Sequence, residues 1–147
     1  MPGCGKTSVG KELSKLIDLD IYDTDSIIEK NAAKSIPDIF KENSEEYFRN
    51  EESKALKEAL LSAPCIVSCG GGIILKEENR KLLKEHTVVF LKRDIASLPK
   101  EGRPLSLKTD LEEMYKKRLP LYKEASDIEL DNIGVKETAQ KIKDLIF

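Results

Sequence analysis

Hydrophobic and polar positions along the chain follow two alternating periods. Apolar residues recur three and four positions apart in some segments, which predicts amphipathic helices, and they form short continuous runs in others, which predicts buried strands. The helical segments are residues 6–17, 26–33, 37–41, a stretch after Ser44, 76–85, 110–118 and 135–147. The strand-like runs are residues 19–23, 65–68, 87–91 and 126–130.

Polar residues at the helix starts support this assignment. Ser44 is followed by Glu45 and Glu46, an arrangement typical of a capped helix with acidic residues in its first turn. Thr109 with Glu112 has the spacing of a capping box. Strands that alternate with helices predict an α/β fold, and we expect a three-layer α/β/α domain with a central parallel sheet spanning residues 1–147.

The first residues carry the clearest chemical pattern. Gly3-Cys4-Gly5-Lys6-Thr7 matches the second half of a P-loop, in which glycine backbone wraps phosphates, a lysine reaches them and a threonine hydroxyl meets magnesium. The helix that follows points its positive end at the same anion. A complete P-loop also has an earlier glycine and a strand before it, so we expect about nine mostly apolar upstream residues in the native protein.

Two further polar clusters follow predicted strands. Asp23 and Asp25 come after the first strand, and the glycines 70–72 come after the second. Ligands of a parallel sheet bind at the carboxyl ends of its strands, where these clusters meet the P-loop. Asp25 is either a proton acceptor for an attacking hydroxyl or only a helix-start residue. The glycines form either a tight turn or an open backbone for a small polar molecule, which we favour.

Charge and composition exclude several classes of function. The 147 residues carry a net charge of -2, which argues against a general nucleic-acid partner. The chain has no run of 18 apolar residues, so the sequence predicts no membrane-spanning helix. The three cysteines are too few and unpaired in number for a disulfide framework, and their spacing is not that of a zinc site. We therefore expect them to be reduced in a cytoplasmic protein.

Arginine is rare among the basic residues. Only five of the 25 are arginine, and a chain rich in lysine is expected to keep arginine where a planar, two-pronged donor is needed. Arg49 follows Phe48 within a helix, Arg103 lies in a Gly/Pro segment, and Arg118 precedes a Leu-Pro-Leu-Tyr sequence. We expect Arg103 to sit on a lid at about residues 96–108. Arg80 and Arg93 are expected to lie on the surface.

Six pieces in this order resemble the shikimate kinase family. They are Gly-Cys-Gly-Lys-Thr at 3–7, Asp-Thr-Asp at 23–25, Phe48-Arg49 with Glu52, the glycines 70–72, Gly-Arg-Pro-Leu at 102–105, and Arg118-x-Pro-x-Tyr122. The resemblance covers nearly the whole chain and implies the P-loop kinase fold. It also implies transfer of the ATP γ-phosphate to the 3-hydroxyl of shikimate with Mg²⁺, by a chain that we expect to be a monomer.

The resemblance also implies a role for each matching residue. Phosphate binding falls to Gly3, Cys4, Gly5, Lys6, Thr7, Ser8 and Arg103. Thr7 and Asp23 would bind magnesium, and Arg49 and Arg118 would bind the shikimate carboxylate. The shikimate hydroxyls would be bound by Asp25, Gly70, Gly71 and Gly72. Catalysis would rest on Asp25, Lys6 and Arg103. The lid segment is shorter than is common in the family.

Two other functions are compatible with parts of this pattern, and a third is not. A different small-molecule or nucleoside monophosphate kinase uses the same scaffold, and a catalytically inactive ligand-binding module would keep part of the site. A GTPase is rejected, because the Asp-x-x-Gly sequence at 131–134 follows the last strand and no Asn-Lys-x-Asp occurs.

Overall fold

The computed structural model describes residues 5–92 and 105–147, and within 105–111 it describes the backbone alone. The helices in these ranges are α1 Lys6–Ile17, α2 Thr24–Ala32, α3 Ile36–Glu42, α4 Glu45–Leu60, α5 Glu77–Leu83, α6 Leu105–Ala125 and α7 Val135–Ile146. The strands are β1 Ile21–Asp23, β2 Ile66–Ser68, β3 Val89–Lys92 and β4 Ile128–Asp131. A 3₁₀ helix, Gly71–Leu75, follows β2 and was not predicted.

All strand pairing in the described ranges is parallel, as predicted. β1 pairs with β2 in the register Ile21 to Ile66, and β3 pairs with β4 in the register Val89 to Ile128. The two pairs are separate two-stranded sheets, and a cavity of about 480 Å³ lined by residues of both β2 and β3 lies between them. In the described ranges the predicted parallel sheet is thus present as two parallel pairs.

Helices cover the strands on both sides and bury three groups of apolar residues. α1 and α7 pack together around Val9, Leu13 and Ile142. A second group joins Leu56 of α4 with Phe90 of β3, the 3₁₀ helix and the end of α6. The third lies among α2, α3 and α4, and its members are Ile28, Ile39, Phe48 and Ala55. This layering agrees with the predicted α/β/α class.

Helix starts show where local sequence determined the structure. Ser44 accepts a hydrogen bond from the Tyr47 N–H at 3.2 Å, which confirms the predicted cap of α4. Asp23 caps α2 by accepting from the Ser26 N–H at 3.1 Å, so this helix starts at Thr24, two residues earlier than predicted.

Helix α6 differs most from its prediction. It begins at Leu105, so Thr109 is inside the helix and the predicted capping box is wrong. It also continues through Pro120 to Ala125, because Tyr122 and Ala125 beyond the proline are buried against the second apolar group. Residues 105–108 of the expected lid are thus helical, and the rest of that segment lies outside the described residues.

Across residues 5–92 and 105–147, every helix is too short or too polar to span a bilayer.

Candidate active site

The glycine segment after β2 is shaped by two charged side chains. A Cβ added at Gly70 would lie 2.9 Å from Oδ1 of Asp25, and one added at Gly72 would overlap the Arg49 guanidinium, 2.6 Å from its Cζ. Real Cβ atoms do not approach side chains so closely. Absence of a side chain at positions 70 and 72 therefore makes room for Asp25 and Arg49. The sequence predicted an open backbone at these glycines, but not this reason for it.

Arg49 is held by two carboxylates on its own helix. Its Nη1 donates to Oε1 of Glu52 at 2.7 Å, and its Nη2 donates to Oε1 of Glu45 at 3.2 Å. The guanidinium carbon also lies 5.3 Å from the centre of the Phe48 ring. Burial lowers the pKa of Arg49, but the bonds and charges of Glu52 and Glu45 outweigh it and raise the pKa. The guanidinium is therefore fixed in place and permanently charged.

Glu52 is a buried anion, with 2% of its surface exposed. Burial raises its pKa, and the hydrogen bond and charge of Arg49 oppose the rise. Asp25 pushes the pKa of Glu52 up and Arg118 pulls it down, so both charges lie close enough to act on this carboxylate. The charges of Asp25, Arg49 and Arg118 therefore all act on the Glu52 carboxyl group.

The other end of the site is the start of α1. Gly5 precedes the helix with a φ of 79°, a left-handed conformation that favours glycine, and at this N-cap position it has no side chain to cap the helix. The first N–H groups of a helix lack partners inside it and attract anions. Nearby, the Thr7 hydroxyl donates to Oδ2 of Asp23 at 2.9 Å. This end is suited to a polyphosphate.

One cavity of about 300 Å³ extends from this helix start to the glycine segment. Its lining residues are Gly5, Lys6, Thr7, Ser8, Asp23, Asp25, Ser68, Cys69, Gly70 and Gly71. Burial raises the pKa of Asp25 above its usual 3.8, the charge of Asp23 adds to the rise, and Lys6 opposes it. Asp25 therefore lies between the anion-binding helix start and Arg49. This position suits a carboxylate that contacts a hydroxyl attacking a phosphate.

Comparisons with known proteins agree with this geometry. The family model described as "Shikimate kinase" matches residues 2–146. The shikimate kinase of Dictyoglomus turgidum is 46% identical over an alignment that covers 95% of this chain and 90% of the relative.

The chain belongs to the shikimate kinase family.

Solved structures of shikimate kinases have the same fold. That of Acinetobacter baumannii, in complex with shikimate, is 33% identical with a TM-score of 0.89 over 98% of this chain and 87% of its own. That of Aquifex aeolicus is 28% identical with a TM-score of 0.87 over 99% and 91%. The predicted P-loop kinase fold is confirmed. Shikimate kinases are ATP-dependent kinases that use Mg²⁺, so the predicted class of enzyme and its cofactors are confirmed as well.

The residues present fit a magnesium ion. Mg²⁺ prefers oxygen ligands and is usually held by one or two carboxylates together with substrate phosphates. The Thr7 hydroxyl and the Asp23 carboxylate supply such oxygens beside the anion-binding helix start. Within the described ranges, no group of three or more His, Cys, Asp or Glu side chains could hold a metal without substrate.

Three residues of the predicted site lie outside the described residues: Gly3, Cys4 and Arg103. Arg118 is half-buried on α6, one turn before Tyr122. Arg80, which was expected on the surface, is half-buried, and its Nη1 donates to the carbonyls of Ile74 at 2.7 Å and Leu75 at 3.2 Å. Its partly exposed side chain thus satisfies carbonyls at the end of the unpredicted 3₁₀ helix.

Three residues at the site were given no role from the sequence. Glu52 is the buried partner of Arg49, Thr24 accepts from the Gly70 N–H at 3.1 Å, and the Tyr122 hydroxyl donates to the Gly71 carbonyl at 2.7 Å. All three stand in the quoted family motifs, so their residue types were visible in the sequence but their contacts were not.

Cys69 lies next to the glycine segment and packs against the second apolar group. Burial raises the pKa of its thiol to about 12, so at neutral pH the site contains a thiol rather than a competing nucleophilic thiolate.

Proposed function

We propose that this chain transfers the γ-phosphate of ATP to the 3-hydroxyl of shikimate, with the roles of individual residues assigned as follows. The acceptor carboxylate binds Arg49 and Arg118, and its ring lies against Gly70, Gly71 and Gly72. A guanidinium offers a planar pair of donors that matches a carboxylate. Arg49 is supported by Glu52 and Glu45, so it keeps its orientation when a substrate arrives.

The nucleotide occupies the other end. The start of α1, with Gly3, Cys4, Gly5, Lys6, Thr7 and Ser8, holds the phosphates, and Arg103 reaches them from the lid. Thr7 and Asp23 hold Mg²⁺, which when bound neutralises charge on the transferring phosphoryl group. The support is the uncapped N-terminus of α1 beside the Thr7–Asp23 pair.

Asp25 orients the attacking hydroxyl and takes its proton. Its raised pKa makes the carboxylate a better proton acceptor than an ordinary aspartate. Lys6 and Arg103 stabilise the charge that develops on the transferring group. A loose phosphoryl-transfer transition state needs little help from a base, so positioning is the larger part of this role.

The observation that carries the proposal is the Arg49–Glu52 pair beside Gly72. A fixed, charged guanidinium at the acceptor end favours a carboxylic acid over a neutral sugar or a base.

The test is ADP release with ATP and Mg²⁺, using shikimate or its methyl ester as acceptor. We expect turnover with shikimate and a loss of at least about a hundredfold in kcat/KM with the ester, which cannot pair with the arginines. Arg49→Gln should show the loss with shikimate, whereas Lys54→Gln, an exposed position on the same helix, should not. Equal use of acid and ester by the wild type would contradict the assignment.

We further propose that a single domain, residues 1–147, works as a monomer in the cytoplasm. The residues that line the cavity belong to one chain, which supports a monomer. The use of ATP by this family supports the cytoplasm. Light scattering at working concentration would measure the mass, and a dimer would contradict the proposal.

A further inference from the structure

The glycine segment must be placed accurately for the acceptor site to exist. Gly70 and Gly72 leave just enough space for Asp25 and Arg49, with the tighter approach at Gly72. A shift of this backbone by a few tenths of an ångström would change both contacts. No side chain caps the 3₁₀ helix that starts at Gly71, so its position must be set by other contacts.

Thr24 holds the segment from the side of β1. It is fully buried, and its hydroxyl accepts from the Gly70 N–H at 3.1 Å and lies 3.5 Å from the Ser68 carbonyl. Thr24 stands between Asp23 and Asp25 in the chain. The same residue therefore connects both aspartates to the glycine backbone.

Tyr122 holds the segment from the side of α6. Its hydroxyl donates to the Gly71 carbonyl at 2.7 Å, and 7% of its surface is exposed. Its ring stacks on Phe90 with centroids 4.9 Å apart, which limits its movement. Arg118 precedes it by four residues, so both side chains lie on one face of the helix.

We propose that the hydroxyls of Thr24 and Tyr122 are positioning groups for acceptor binding. Together they fix Gly70 and Gly71 between the helix start that carries Asp25 and the helix that carries Arg118. The inference rests on the proposed function, because it assumes that these residues form the shikimate site. Because both hydroxyls bond to residues 68–71, their loss should affect acceptor binding most.

The test compares Thr24→Val and Tyr122→Phe, which remove one hydroxyl each and keep the shape of the side chain. We expect KM for shikimate to rise about three- to tenfold in each, the effect of one net hydrogen bond. KM for ATP should stay within about twofold. Thr24→Ser keeps the hydroxyl and should retain the KM of the wild type. Tyr47→Phe is the control, because it removes a tyrosine hydroxyl from an exposed position on α4.

The possible results separate the two proposals. If the wild type turns over shikimate but the variants keep its KM, or raise both KM values equally, the positioning role is wrong and the proposed function stands. If the folded wild type does not turn over shikimate, both are wrong. Urea midpoints of each variant identify losses caused by unfolding. If one of the two variants does not fold, the KM values of the other still decide whether its hydroxyl has the proposed role.

Discussion

The two ends of the cavity are built in different ways. At the acceptor end, polar groups are bound by other groups of the chain. Glu52 and Glu45 bind Arg49, and Thr24 and Tyr122 bind the glycine backbone. At the phosphate end, Thr7 and Ser8 are exposed, and the N-cap Gly5 has no side chain to cap α1. A polyphosphate with Mg²⁺ brings much charge of its own, whereas the acceptor brings one carboxylate. Preorganisation is therefore greatest where the ligand contributes least.

Asp25 lies between the two ends, and its removal should have the largest effect. We expect Asp25→Asn to lower kcat by about a hundred- to ten-thousandfold, the usual contribution of a positioned acid–base group. Both KM values should change much less. Asp38→Asn, at the exposed first turn of α3, is the control in steady-state assays. A kcat within threefold of the wild type would show that Asp25 has no part in the chemistry.

Gly72→Ala tests whether the acceptor end depends on close packing. The added methyl group overlaps the Arg49 guanidinium, which must move from its place beside Glu52, and a misplacement of about 1 Å at a site can cost about a hundredfold in rate. We expect kcat/KM for shikimate to fall by about a hundredfold, with KM for ATP little changed. In an Arg49→Gln background the same substitution should add little, because the atoms that it displaces are gone. Additive losses would contradict the steric explanation.

Thr7→Val should affect the phosphate end alone. It removes the hydroxyl proposed to meet Mg²⁺, and we expect the half-saturating Mg²⁺ concentration to rise about tenfold, while KM for shikimate is unchanged. Thr7→Ser, which keeps the hydroxyl, should behave like the wild type in a magnesium titration. A shift in shikimate KM of the same size would mean that the two ends are coupled.

The smallest effect concerns stability. The pKa of Asp25 is raised in the folded chain, so the folded state binds this proton more tightly than the unfolded state does. Its contribution to the free energy of unfolding therefore falls as pH rises from about 3.8 through the raised pKa. At neutral pH we expect Asp25→Asn to raise Tm by at most a few degrees, since partial hydration screens the charge. A lower Tm in thermal melts at pH 7 would contradict this sign.

Local patterns predicted the parts of the structure that depend on neighbouring residues. The helical period gave α1 and α7, Ser44 gave the start of α4, and the residue types at 5–7 and 23–25 indicated a phosphate site. Contacts between distant segments were not predictable in this way. Tyr122 meets Gly71 across 51 residues, and α6 passes through Pro120 because of burial on its far side. Propensity favours a helix end at such a proline, and tertiary packing overrides it.

The overlap between Gly72 and Arg49 also limits the order in which these positions can change during evolution. While Arg49 is present, selection on acceptor binding should remove any side chain at position 72. If a lineage replaces Arg49 first, position 72 becomes free to accept alanine or serine. Restoring the arginine later would then meet a blocked space. Loss of the carboxylate-binding arginine would thus become hard to reverse, and a descendant that had acquired another acceptor would tend to keep it.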